Sequence, residues 1–258
     1  MKNLLLVDIG NTLIKIAMVN DSEVIVEWPV IVTKSKNVIR QLKQAFKINK
    51  KVPFTTAVIS CVVPKLLVPI KKIIFAIYQV EPLVVDASLI NKLPLKMKLE
   101  NQQLGSDLIA LSYAICMKYQ NGIVVSLGTA TTYSTIINST LVGVIIGPGV
   151  TTSKNALITN AALLSDFKIN HYPSMLGKNT NHALSIGYGY GFSAMIKAIV
   201  ANIHNETNTR LPVILTGGNM LMLQSYFDFA FIAEPQILFW GLVAIAKQLL
   251  DDSNGNKN

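Results

Sequence analysis

Along the first thirty residues, apolar runs alternate with short polar breaks, the pattern of strands joined by tight turns. Residues 3–9, 13–19 and 23–30 read as three strands, broken at Gly10-Asn11 and at Asn20-Asp21. A helix is predicted over 36–48, where Lys36, Arg40, Lys43 and Lys47 share one face and Val38, Leu42 and Ala45 mark another. A strand follows at 56–60, then a helix opened by Pro64 and running to about 79, a short strand at 83–86, and a loop through Pro94 and Asn101. A further helix covers 105–119. The order then restarts with strands at 122–127, 132–138 and 141–146 and a turn at Gly147-Pro148-Gly149. Helices are expected at 152–164 and 185–204. A strand at 212–216 stops at Gly217-Gly218, and helices flank a last short strand at 229–233. The polar tail Asp251–Asn258 reads as frayed.

This is an α/β pattern given twice. It predicts two similar lobes, residues 1–120 and 121–258, with a ligand cleft between them. The chain has 258 residues, 51% of them hydrophobic, enough to fill two cores. No apolar stretch reads as long enough to span a bilayer, and Asp8 and Gly10 cut the apolar start too short for a signal peptide, so no membrane partner is expected. Cys61 and Cys116 have no metal or redox spacing, which fits a reduced cytoplasmic setting.

The net charge of +9 invites a nucleic-acid reading. Only Arg40 and Arg210 are arginines, however, and base reading leans on arginine forks. The lysine-rich stretch 34–51 therefore reads as a solvated helix face, with a polyanion surface as the alternative. Nucleic acid is not the expected partner.

The chemistry concentrates where the two halves echo one another: Val7-Asp8-Ile9-Gly10-Asn11-Thr12 and Val125-Ser126-Leu127-Gly128-Thr129-Ala130-Thr131. A carboxylate at a strand end suits Mg²⁺, and Gly10 lets backbone N–H groups approach phosphate oxygens. Lys15 adds a point charge within reach of a phosphate. Thr129 and its neighbours offer uncharged hydroxyls and amides, a plausible second clasp once paired with the first turn. Asp8 capping a plain hairpin, and a threonine-rich strand, are the plainer alternatives. In Gly105-Ser106-Asp107, Ser106 or Asp107 is either a helix cap or, for Asp107, a general base facing an acceptor hydroxyl. His171, His182 and His204 are too scattered for a metal site, and Tyr188 and Tyr190 sit in a Gly187–Gly191 bend or close-packing element.

In order and over nearly the whole length, these segments resemble the type III pantothenate kinases of the actin, hexokinase and chaperone ATPase superfamily. The likeness is carried by Asp8-Ile9-Gly10-Asn11-Thr12, Cys61-Val62-Val63-Pro64, Gly105-Ser106-Asp107 and Gly128-Thr129-Ala130-Thr131-Thr132. Gly147-Pro148-Gly149, Gly177-Lys178-Asn179-Thr180 and Thr216-Gly217-Gly218 follow at family spacing.

The resemblance implies actin-like (ribonuclease H-like) lobes and transfer of the ATP γ-phosphate to pantothenate, the first step towards coenzyme A. It implies ATP contacts from Asp8, Ile9, Gly10, Asn11, Thr12, Leu13, Ile14, Lys15 and Thr129. Asp107 would be the base, and Gly105, Ser106, Asp107, Leu108 and Thr180 would line the pantothenate site. It also implies a homodimer, Mg²⁺ at Asp8, and a monovalent cation, K⁺ or NH₄⁺, at position 126.

Three positions depart from the family pattern: Leu108 replaces an arginine, Ser126 an aspartate, and Lys98 or Leu99 a tyrosine. Two other readings follow from these departures: a catalytically impaired relative acting as a regulatory or binding protein, and a kinase for another small alcohol.

Overall fold

The computed structural model describes residues 3–20, 23–100 and 104–255. Asp21, Asn101 and the last three residues of the tail, all within sequence expectations above, lie outside the described residues. The chain separates into two compact units. One gathers the described residues up to Gln120 with Asn138–Leu141 and the segment from Gln236 onward; the other holds Asn121–Ile137 and Val142–Pro235.

In the first unit, β1 (Leu4–Ile9) pairs antiparallel with β2 (Leu13–Val19) and parallel with β5 (Thr56–Cys61). The sheet order is β3-β2-β1-β5-β6, with β3 at Ile25–Glu27, β6 at Leu83–Val85, and β4 (Ile31–Val32) also on β2. The strand expected over 23–30 thus shortens to β3, and β4 lies just beyond it. Pro29 has no N–H for the ladder, and Trp28 is buried in the core, its N–H donating to Ile16 O at 2.8 Å.

Alternation decides which face each strand residue serves. Leu5, Val7 and Ile9 of β1, with Ala57 and Ile59 of β5, join a core completed by α1 (Val38–Ile48) and α2 (Pro64–Tyr78). Leu42 and Phe46 anchor α1 in it, while Lys36, Arg40, Lys43 and Lys47 line an open concavity of about 740 Å³ in solvent. The intervening residues, Asp8 and Ser60 among them, fall on the opposite face. There β5 meets α3 (Ser106–Tyr119), and β1 and β5 meet α7 (Ile237–Gly255).

The helix α3 is buried on nearly every side, so it reads as apolar all round. It meets α7 so closely that a Cβ at Gly241 would lie 2.0 Å from Ala110 O. A 3₁₀ turn at Ala87–Lys92 and β7 (Lys96–Met97) interrupt the loop expected through Pro94; β7 pairs with Thr140 and Leu141.

The second unit repeats the plan. Its strands are β8 (Gly122–Leu127), β9 (Ala130–Ile137), β10 (Thr140–Pro148), β11 (Val213–Thr216) and β12 (Ile232–Ala233), ordered β12-β11-β8-β9-β10. As in the first unit, the central strand has an antiparallel hairpin partner and a parallel one. Ile123, Val125 and Leu127 enter a core with Ile196, Val200 and Ile203 of α5 (Thr180–Thr207). The shorter helices are α4 (Val150–Asn160) and α6 (Met220–Leu223).

The Gly187–Gly191 segment is no bend; it lies inside α5, where a Cβ at Gly189 would fall 2.1 Å from the Tyr226 ring. α5 spans 28 residues and holds an 18-residue window of mean hydropathy 1.2, long and apolar enough by composition to cross a membrane, contrary to the sequence expectation. Its inner stripe packs on the unit's core and Lys197 pairs with Asp228 at 2.6 Å, as in a core helix.

Candidate active site

The first turn is built on strand register. Asp8 stands opposite Lys15 on β2 and Ser60 on β5. Ser60 Oγ donates to Asp8 Oδ1 at 3.0 Å and lies 3.1 Å from Ser106 Oγ, which accepts the Cys61 N–H at 2.7 Å. Asp8 therefore bonds to the neighbouring strand and does not cap its own hairpin. That turn closes through Gly10 N–H to Leu13 O at 3.0 Å. Thr33 braces it, its hydroxyl donating to Gly10 O at 2.7 Å and its N–H to Thr12 O at 3.0 Å.

Among the residues expected at ATP, Asn11 and Thr12 are exposed and Lys15 is half-buried. Ile9 and Ile14 are fully buried in the core, so only their backbone can meet a ligand.

Gly105 is the N-cap of α3, and no side chain caps the helix. The capping alternative for Ser106 and Asp107 is thereby overturned. Ser106 is held from inside by Cys61 and Ser60. Asp107 Oδ1 accepts the Leu108 N–H at 2.9 Å, a local bond within the first turn of α3. A Cβ at position 105 would lie 2.6 Å from Asp107 Oδ1, so glycine leaves that carboxylate its place. Leu108 is buried in the core, while Lys98, just beyond β7, is exposed.

Both carboxylates hold protons more tightly than usual. Burial pushes Asp8 up to about 6; the Asp107 charge adds to this, against the Ser60 hydrogen bond and Lys15. Burial likewise raises Asp107, against the Leu108 N–H. Among the described residues no group of three or more His, Cys, Asp or Glu forms a metal cluster. The Asp8–Asp107 pair is the charged chemistry of this unit's site.

In the second unit three glycine motifs converge on the turn after β8. Gly128 N–H closes it on Ala130 O at 3.0 Å. Asn219 Nδ2 donates to Gly128 O at 3.1 Å, and Thr152 Oγ1 to Thr129 O at 2.6 Å. Thr151 Oγ1 donates to Asn219 Oδ1 at 2.7 Å. A Cβ at Gly149 would lie 2.1 Å from Thr129 O. At Gly217, φ is +96° and a Cβ would meet Leu127 N at 2.6 Å, so both features require glycine. β10 runs through Pro148, so the expected three-residue turn contracts to the junction at Gly149, N-cap of α4.

Ser126 sits in β8 opposite Thr132 and Thr216, a neutral setting. Thr180 is the exposed first residue of α5. That helix is capped by Asn179, whose side chain accepts the His182 N–H at 2.8 Å.

Sequence reasoning missed Thr33, Ser60 and Thr152; Asn219 was read only as part of the Thr216-Gly217-Gly218-Asn219 glycine site. Ser60 had a readable signal: it is a polar residue at the end of the strand that pairs with the Asp8 strand.

The sequence profile of type III pantothenate kinase matches residues 4–202. A type III pantothenate kinase of Roseiflexus sp. is 31% identical over 93% of this chain and 96% of its own length. Its Finegoldia magna counterpart is 30% identical over 98% of each, and the Pelagibacter ubique one 32% identical over 82% of this chain and 85% of its own. Among solved structures, one from Campylobacter jejuni described as a Baf family transcriptional activator superposes with TM-score 0.60 at 22% identity, covering 96% of this chain and 99% of that one. The activator of 2-hydroxyisocaproyl-CoA dehydratase from Clostridium difficile, with bound ADPNP, gives 0.59 at 10%, covering 98% and 97%. At such identities the structures bear on fold alone, and they place it with the two-lobed actin-like proteins. The profile match spans most of the chain and the relatives align over nearly their full length: the chain belongs to the type III pantothenate kinase family.

Proposed function

We propose that this protein transfers the γ-phosphate of ATP to the primary hydroxyl of pantothenate, giving 4′-phosphopantothenate and ADP. One observation carries the reading. The Asp8 turn and the Gly105-Ser106-Asp107 motif lie against one another: Ser60 bonds to Asp8 Oδ1 at 3.0 Å and lies 3.1 Å from Ser106 Oγ, which accepts the Cys61 N–H at 2.7 Å.

Asp107 takes the proton of the acceptor hydroxyl as its oxygen bonds to the γ-phosphorus and the bond to the β-bridging oxygen breaks. Its carboxylate takes a local N–H from the first turn of α3, and burial makes it more basic than a free aspartate. Lys15 and the backbone at Gly10 and Thr129 hold phosphate oxygens; Asn11 and Thr12 supply exposed polar groups, and Ile9 and Ile14 only main chain. Thr180 and Gly105 serve the acceptor. Asp8, an oxygen donor with one carboxylate oxygen uncommitted, suits Mg²⁺, which when bound neutralises phosphate charge. The hydroxyls of Ser126, Thr132 and Thr216 supply no charge for a monovalent cation, and no step is drawn through one.

A homodimer is part of this reading. The outer face of α5 bears a mostly apolar concavity of about 320 Å³, lined by Leu184, Tyr188, Phe192 and Met195, where Gly187 and Gly191 have open space beside them. Two free cysteines fit a cytoplasmic setting.

The test is phosphorylation of pantothenate with Mg·ATP, followed by ADP release and by mass of the product. Formation of 4′-phosphopantothenate, lost in Asp107→Asn, supports the assignment. Nucleotide binding with no product across a range of K⁺, NH₄⁺ and substrate concentrations overturns it.

A further inference from the structure

We propose that Ser60 and Ser106 are positioning residues for phosphoryl transfer. They form a buried two-hydroxyl relay that orients the Asp8 carboxylate and ties it to the first turn of the helix bearing Asp107. The inference rests on the kinase reading above.

With Asp8 ionised, the relay has one direction. Each serine hydroxyl owns one proton. Ser60 spends its proton on Asp8 Oδ1 at 3.0 Å, so at 3.1 Å it accepts from Ser106, whose oxygen accepts the Cys61 N–H at 2.7 Å. The chain starts at a β5 backbone N–H, which cannot rotate, and ends on a carboxylate. Both serines are buried, Ser60 wholly and Ser106 to 5% exposure, so water does not compete for these bonds.

Three elements meet in this chain: the end of β1, the end of β5 and the start of α3. Their register is set by Asp8 standing opposite Ser60. The relay occupies Oδ1, while Oδ2 has no partner among the described residues. Oriented supports of this kind fix which oxygen of a carboxylate faces its ligand. The matching position of the second unit, Ser126 beside Thr216, carries no such chain among the described residues.

A merely structural pair would lower the melting temperature and leave catalysis per folded molecule unchanged. The positioning role is read from the kcat–KM split and from Mg·ATP affinity in a double-mutant cycle on the full chain. For Ser60→Ala, kcat is expected to fall ten- to a hundredfold with the pantothenate KM within threefold. Calorimetric affinity for Mg·ATP is expected to fall about tenfold, affinity for metal-free ATP to hold, and the loss to vanish when Asp8→Asn is already present. Ser106→Ala leaves the Ser60–Asp8 bond standing and is expected to fall between wild type and Ser60→Ala. Ser106→Thr, which keeps the hydroxyl, is expected to recover most of that loss.

Equal weakening of Mg·ATP binding with and without Asp8, or a lowered melting temperature with unchanged kcat, overturns the relay. Should Ser60→Ala not fold, the Ser106→Ala and Ser106→Thr pair decides, since both keep the bond to Asp8: equal kcat in the two overturns the proposal. If wild type binds Mg·ATP but phosphorylates no pantothenate, the kinase reading fails while the binding cycle still judges the relay.

Discussion

The turns after β1 and after β8 share a backbone plan and differ in what holds them. Each follows a central strand flanked by an antiparallel hairpin partner and a parallel neighbour. In the first, four residues separate the paired Ile9 and Ile14, and charge sits at the strand end, where Asp8 lies between Lys15 and Ser60. In the second, three residues separate Leu127 and Thr131, and the strand end is neutral, with Ser126 between Thr132 and Thr216. The first turn is braced through a threonine and a serine relay. The second is clamped on its carbonyls by Thr152 and Asn219 and crowded by Gly149 and Gly217. One backbone device can thus be specialised twice, for charge in one place and for shape in the other.

The largest test of that division is Asp107→Asn, expected to lower kcat by about a thousandfold or more, while Thr129→Val costs under about tenfold, both by steady-state kinetics. Shape comes next. Gly149→Ala forces a Cβ onto Thr129 O and is expected to raise the KM for ATP at least tenfold and to cost about 1–3 kcal/mol of stability by chemical denaturation.

Charge in the first turn also has a pH signature. Asp8 titrates near 6 in the folded chain against 3.8 unfolded, so the folded state holds an extra proton between those values. Its contribution to stability is therefore full below pH 3.8, declines as pH rises, and is gone above about 6. In metal-free protein, Asp8→Asn is expected to stabilise the fold by about 3 kcal/mol at pH 7, a gain that shrinks towards pH 4, read from melting curves across that range. The smallest effect is expected from Ser126→Asp. Wild-type activity should differ by less than about twofold between K⁺ and a bulky organic cation, and the added carboxylate should create a several-fold K⁺ response. A strong K⁺ response in wild type would break the comparison.

Much of this was legible because local rules governed it. The alternation through β1 and β2, Pro64 opening α2, and the unbroken apolar length of α3 placed those elements within a residue or two. What escaped depends on distant partners. β7 exists only through Thr140 and Leu141, and β12 shrank to the two residues that meet Ile214 and Leu215. The helix expected at 185–204 begins at Thr180 because Asn179 caps it, a signal present in the sequence but not weighed. At the sites, the glycine motifs could be read along the chain. The partners of Ser60 and Asn219 could not, since they are set by strand register and by bonds to residues 52 and 91 positions away.

The close fit of Gly241 on Ala110 has a consequence for how the protein is made. The helix that backs Asp107 is itself backed by residues from 237 onward, which leave the ribosome after the whole second unit. Until they do, the face of the first unit's sheet that carries Asp8 has α3 but not α7 against it. The helix bearing Asp107 therefore gains its α7 support only after the second unit has been made.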